Sequence, residues 1–274
     1  MGPARSLRLL WLAWLGLMAW PSAARAELLA SHGDGTFYRI DVATGIPTRA
    51  GYFGGYHVPT IAIDLSGTIW FAGLTQATYE AYLGTYDLAT GVVAQGPRIW
   101  PWPYELAFSP DGTLFAVRSD ALYTIDVQSG ATTLIGETGL PDGHPITGLA
   151  FSPKGTLYAW DSGSAGKLGL GLVTVDPFTG VATDVDSAID APIFPPVAVA
   201  ALAFAPDGRL YGAYYDLYTV EPSSGALTLI GRIGDISAGV GSMVWIPEPS
   251  TPTALLTLAA AALLVHLCWR RKTQ

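Results

Sequence analysis

The chain has 274 residues, half of them hydrophobic and only 13% charged, with a formal charge of −8. Residues 27–249 hold all 22 acidic groups against eight basic ones (Arg39, Arg49, Arg98, Arg118, Lys154, Lys167, Arg209 and Arg232), a balance of −14. A surface of that sign disfavours nucleic acid and anionic headgroups, whose binding depends on basic groups releasing counterions.

Arg5 and Arg8 precede an apolar run from Leu9 to Trp20, and PSAARA follows with small residues at Ala24 and Ala26. This predicts a secretory signal peptide over 1–26. A buried first helix is the plainer alternative, but the run has no polar face to offer solvent.

From residue 27 the text repeats. ELLASHGDGTFYRIDVATGIPTRAGYF predicts strands over 28–31, 36–42 and 46–53, with turns at 33–35 and 43–45. A second unit takes 60–73 and 83–96, separated by a long connection over 73–82. The third opens with LAFSPDGTLFAV at Leu106; it returns as LAFSPKGTLYAW at Leu149 and LAFAPDGRLYGA at Leu202. An orphan strand, SMVWIPEP, covers 242–249. The turn glycines Gly67, Gly112, Gly155 and Gly208 are 45, 43 and 53 residues apart; Gly45, Gly91, Gly130, Gly180 and Gly225 are 46, 39, 50 and 45 apart. Periods of about 40–50 with four short strands each are the spacing of propeller blades. The first unit lacks an innermost strand and the orphan is an innermost strand without a unit, so the orphan is expected to complete blade 1. The prediction is an all-β fold, a five-bladed β-propeller of four-stranded blades over 27–246, monomeric, with an open sheet or sandwich as the alternative.

In such a ring the first strand of each blade lines the axis. Its first positions are Thr60, Glu105, Gly148, Ala201 and Ser242, followed two residues on by Ala62, Ala107, Ala150, Ala203 and Val244, small where strands crowd. One glutamate in five does not make a metal site, which needs several carboxylates, Asn or His converging. No metal and no cofactor is expected. Asp41, Asp87, Asp126, Asp176 and Glu221 recur before turns; they look like fragments of a calcium loop, but each sits in a different blade and reads more simply as a turn cap. Asp111 and Asp207 read the same way.

Function is expected in the connections that do not repeat: 73–82, 161–170, 189–197 and the tryptophan-rich 96–105. Trp100, Trp102 and Tyr104 form a candidate outward binding face, able to stack on a sugar or anchor a partner; packing between blades is the competing reading. Catalysis has little support. His32, His57 and His144 are the only histidines before the tail, no G-x-S-x-G elbow is present, and GDGTF and SGSAG are turns rather than phosphate loops. An extracellular hydrolase or lyase remains as the alternative if Glu105 is joined by Asp161, Asp190 or His144 around a cation.

The tail has its own pattern. Residues 253–269 are apolar, long enough for about 26 Å of helix, at the low edge of membrane-spanning length. Arg270, Arg271 and Lys272 follow as a membrane stop, favouring a cytoplasmic C-terminus. The single cysteine, Cys268, lies there too, so 27–246 must be held by packing and ladder hydrogen bonds rather than disulfides. Pro247, Glu248 and Pro249, then this segment and its basic end, resemble the PEP-CTERM sorting signal of exported proteins of Gram-negative bacteria; the match covers 247–274, about a tenth of the chain. The resemblance implies an exosortase-type processing enzyme as partner, transient anchoring by a transmembrane helix over 253–269, cleavage near the motif, and release to the cell surface or extracellular matrix. The blades separately resemble bacterial β-propeller repeat proteins. Both together lead to the expectation of a non-catalytic structural or binding module, towards exopolysaccharide or a surface protein. With Glu248 directly after the last strand, the uncut domain should sit close to the membrane with its long loops outward.

Overall fold

The computed structural model describes residues 27–141, 144–163, 169–186, 199–234 and 239–246, with backbone alone at 58 and 59. Glu27–Ile246 form one compact unit. The predicted signal peptide, sorting motif, membrane segment and basic tail lie outside the described residues. Among those described, no helix is long and apolar enough to cross a membrane.

Twenty strands form five four-stranded antiparallel sheets. Blade 1 contains β1 (Glu27–Ser31), β2 (Thr36–Ile40) and β3 (Pro47–Tyr52). Blade 2 is β4 (Tyr56–Ile63), β5 (Ile69–Thr75), β6 (Ala81–Tyr86) and β7 (Val93–Arg98). Blade 3 is β8 (Glu105–Phe108), β9 (Leu114–Arg118), β10 (Ala121–Ile125) and β11 (Thr132–Glu137). Blade 4 is β12 (Ile146–Phe151), β13 (Leu157–Asp161), β14 (Gly171–Val175) and β15 (Ala182–Asp184). Blade 5 is β16 (Ala201–Phe204), β17 (Leu210–Ala213), β18 (Asp216–Val220) and β19 (Leu227–Arg232), after which β20 (Ser242–Ile246) returns to blade 1. The order in that blade is β20-β1-β2-β3, with Leu29 opposite Val244 and Ser31 opposite Ser242. The innermost strands neighbour one another in a closed circuit, β4 to β8 to β12 to β16 to β20 and back to β4. The five-bladed ring and its closure by the orphan strand therefore stand as the repeat predicts.

Burial falls from the axis outward. β8 and β16 bury three of four residues, whereas β3, β11 and β19 share one half-exposed pattern. Ala62, Ala107, Ala150, Ala203 and Val244 are all buried, as expected of positions where inner strands converge. The core consists of five clusters, each spanning one blade boundary. Between blades 1 and 2 the filling is aromatic: Phe53 lies 4.5 Å from Phe71 and 5.1 Å from Tyr86 between ring centroids. Gly84 is required there, because a Cβ would fall 2.5 Å from the Phe71 ring and 2.8 Å from the Ala94 carbonyl. At the outer rim two blade boundaries are also hydrogen-bonded. The Ala182 N–H donates to the Thr138 carbonyl at 2.8 Å, and the Thr132 hydroxyl donates to the Trp100 carbonyl at 2.6 Å.

Two expectations change. Half of the long connection over 73–82 is ladder: Gly73 pairs Tyr82, Leu74 pairs Ala81, and only 76–80 turn. The inserted residues lengthen the hairpin because Leu74 and Ala81 continue its alternation, so they extend a sheet instead of a loop. The strand predicted over 36–42 stops at Ile40, because Asp41 already opens the turn: its backbone carbonyl accepts the Gly45 N–H at 2.8 Å.

Phe53→Ala removes a fully buried ring from a boundary with no spare side chain, and a loss of about 3–5 kcal/mol is expected in denaturant unfolding. Deleting 242–246 exposes the β1 edge, and a shift towards aggregates relative to the undeleted chain is expected in size-exclusion chromatography.

Candidate functional site

Of the aligned inner-strand positions Thr60, Glu105, Gly148, Ala201 and Ser242, three are polar and the ring brings them into contact, although β4 begins at Tyr56 and β12 at Ile146, so that Thr60 and Gly148 lie inside their strands. Glu105 is 2% exposed at the start of β8. Its Oε2 accepts from the Ser242 hydroxyl at 2.9 Å and the Thr60 hydroxyl at 3.1 Å. Ser242 Oγ in turn accepts the Ile61 N–H at 3.2 Å. Glu105 Oε1 is buried without a protein partner. Burial therefore pushes the Glu105 carboxyl well above its ordinary value, and the hydroxyl donors counter this only in part. The axis carries a buried carboxyl anchored on one oxygen, and burial biases it towards its protonated form.

The second buried polar group is the pair His144 and Asp161, at 3.0 Å between Nδ1 and Oδ2. Asp161 also accepts the N–H groups of Gly163 and Leu170, each at 2.9 Å. With Asp161 on Nδ1 the network assigns the proton there, leaving Nε2 buried and without a partner. The pair staples the link before β12 to the connection after β13. Thr147 Oγ1, three residues on from His144, pairs with Ser162 Oγ at 2.5 Å and donates to the Val199 carbonyl at 2.7 Å. Among the described residues no group of three His, Cys, Asp or Glu could hold a metal ion, so Glu105, His144 and Asp161 do not form the cation site on which the hydrolase alternative depends. Asp190 lies outside the described residues.

The turn aspartates cap their turns. Asp87 accepts from Ala89 and Thr90, and Asp126 from Gln128 and Ser129, all through backbone N–H groups. Bonds led by those from Thr90 and Ser129 hold the two carboxyls below the ordinary range. Asp111 is lowered in the same way by the Ser109 hydroxyl and Asp207 by Arg209.

Trp100, Trp102 and Tyr104 are placed differently from one another. Trp102 is half-buried against the boundary of blades 2 and 3. Its carbonyl accepts from Arg118, whose guanidinium lies 5.7 Å from the Trp102 ring and 4.6 Å from that of Tyr104. Tyr104 is 38% exposed, whereas Trp100 is 78% exposed. The trio is thus divided between a packed residue, a rim residue stacked by Arg118, and a projecting indole. Beside Trp100 stand residues that sequence reasoning passed over. Arg98 pairs with Glu80 at 3.0 Å, and the Tyr82 hydroxyl donates to Glu80 at 3.0 Å, raising the phenol pKa. Only the ladder register, Tyr82 opposite Arg98, brings them together.

No protein-family model and no curated protein matches the chain. Solved structures do match in fold. A symmetrical protein whose de novo evolutionary emergence is shaped by folding constraints has a TM-score of 0.53 at 21% identity, covering 82% of this chain and all of its own. A chain of the nidogen–laminin complex has a TM-score of 0.53 at 11% identity, over 82% of this chain and 99% of its own. A protein assigned as TolB from Agrobacterium tumefaciens has a TM-score of 0.50 at 14% identity, over 81% of this chain and 87% of its own. At these identities the likeness is one of fold.

The two sets of carboxyls give opposite pH slopes. The lowered turn aspartates stabilise the fold above the unfolded aspartate pKa, and that contribution is lost as pH falls through their folded values. Glu105 is raised, so above its ordinary 4.5 the unfolded chain ionises first and stability falls, by about 1.4 kcal/mol per pH unit until Glu105 ionises in the fold. Glu105→Gln keeps an acceptor for Ser242 and Thr60 and removes this slope. Urea unfolding should show the variant close to wild type at pH 4.5 and more stable at pH 7.5; an equal difference at both would mean that the Glu105 pKa is not raised in the fold.

Proposed function

We propose that this chain is an exported, non-catalytic propeller acting as a binding or structural module at the cell surface or in the extracellular matrix, towards exopolysaccharide or a surface partner. The observation that carries the reading is Trp100, 78% exposed while its carbonyl is tied to the next blade. A large ring mounted on a fixed backbone suits a contact surface, because little backbone freedom is left to lose on binding. The signal peptide over 1–26 and the PEP-CTERM resemblance of 247–274 support the exported location. In this reading an exosortase-type enzyme recognises Pro247, Glu248 and Pro249, while 253–269 anchors the precursor with Arg270, Arg271 and Lys272 on the cytoplasmic side. An extracellular hydrolase or lyase is the second reading. The pair His144 and Asp161 favours it, since an imidazole oriented by a carboxylate is the basic half of a proton-transfer site.

In a host with exosortase machinery, the wild-type chain should appear clipped near residue 247 and leave the membrane fraction. Changing Pro247, Glu248 and Pro249 to Ala should leave full-length chain in the membrane, read by mass spectrometry of the C-terminus. Equal clipping of both chains would remove the sorting reading. For the second reading, wild-type turnover on a panel of lactones and polysaccharides should be lost in His144→Gln at unchanged stability; a wild-type chain without turnover removes it.

A further inference from the structure

The outer hairpin of blade 2 presents a built polar and aromatic face. Ala81 and Ile99 point inward, at 5% and 1% exposure, and the Ile99 N–H extends the ladder by donating to the Ala81 carbonyl at 3.0 Å. Their neighbours Glu80, Tyr82, Arg98 and Trp100 are all half-exposed or exposed, so strand alternation sets these four on the outer side. The register puts Tyr82 opposite Arg98, and the Ile99 bond to Ala81 carries the pairing one residue further, with Trp100 next along the chain.

The polar members are fixed before any ligand arrives. Glu80 takes Arg98 on Oε1 and Tyr82 on Oε2, each at 3.0 Å, and the Thr78 hydroxyl reaches it at 3.4 Å. The turn leading in carries Tyr79 at φ 56°, the left-handed region unusual for an aromatic residue, with 71% of the residue exposed. Trp100 is held from the other side by Thr132 of blade 3.

We propose that Glu80, Tyr82, Arg98 and Trp100 form a subsite for a neutral pyranose chain, with the Trp100 indole stacking on a sugar face. This deepens the binding-module reading and rests on it. The chemistry of each part agrees. The electron-rich face of an indole attracts the slightly positive C–H groups of a pyranose ring. A carboxylate and a guanidinium held side by side offer an acceptor and planar donors to vicinal hydroxyls. The pair Glu80 and Arg98 is neutral as a unit, and 27–249 carries a balance of −14, so a uronate-rich polyanion is repelled at long range. A protein partner would bury about 800 Å² per side over an apolar centre. Here the polar part is a single ion pair, followed two residues on by one exposed indole, which fits a sugar better.

The test uses the Glu27–Ile246 unit, which β20 closes within itself. Cellohexaose, laminarihexaose and polygalacturonate are titrated by calorimetry and by tryptophan fluorescence. Binding of at least one neutral hexaose is expected, with Trp100→Ala weakening it about tenfold or more and Arg98→Ala by a similar factor. Tyr104→Ala, on the other side of Trp102, should leave it unchanged. The four subsite residues lie at the outer rim, and matching urea midpoints establish that each variant is folded. Wild-type affinity in Trp100→Ala, preference for polygalacturonate, or no binding of either neutral hexaose overturns the proposal. The sorting reading is scored separately, by C-terminal clipping, and survives that failure.

Discussion

Antiparallel pairing of β20 with β1 is the constraint on which the remaining structure depends. Five residue pairs, from Glu27 with Ile246 to Ser31 with Ser242, join the two ends of the folded unit. A ring of sheets has no sealed edge until this pairing forms; afterwards every inner strand has a neighbour on both sides of the axis circuit. Each blade boundary then holds its own hydrophobic cluster, and the fold is stabilised by five separate interfaces in place of one central core. Loop-closure entropy grows only logarithmically with length, so bringing together strands more than 200 residues apart costs little more than closing a single blade.

Closure also creates the polar centre. Ser242 and Glu105 are 137 residues apart, and they meet because blades 1, 2 and 3 place β20, β4 and β8 side by side. A buried carboxyl with one orphaned oxygen costs stability, and ring packing offsets it. Among the described residues it stands without a second carboxylate or histidine to converge with on a cation. The His144 and Asp161 pair does for a blade boundary what the axial triad does for the ring: it fixes irregular backbone to a strand end through buried hydrogen bonds.

The outer rim follows another logic. There the fourth strands face water, their side chains alternate freely, and the only demand is the grip between neighbouring blades. Thr132 holding the Trp100 carbonyl is one such grip, and it converts an otherwise free linker into a rigid mount. Blade 2 differs from its siblings in a longer second hairpin, which brings Glu80 and Tyr82 level with Arg98. The repeat supplies the frame and the departure from the repeat supplies the chemistry.

Much of the frame was legible in the residues alone. The glycine periods, the SPDG and D-x-x-S-G turns and the orphan strand determine blade number and closure, because turn conformations and strand alternation are local properties of short peptides. Gly67, Gly112, Gly155 and Gly208 all adopt φ between 86° and 89°, as one repeated turn requires. The ring of aligned inner-strand positions, Glu105 among them, was legible for the same reason. The company Glu105 keeps was not, since its partners come from other blades. Nor was the division of Trp100, Trp102 and Tyr104, because exposure depends on which blade packs alongside. The ladder that joins Arg98 to Glu80 and Tyr82 was hidden as well, since 73–82 looked like loop until its alternation was seen to continue β5 and β6. Local chemistry determines turns, strands and their count; only the closed ring decides which side chains are neighbours, because those distances are set by packing between blades rather than by position along the chain.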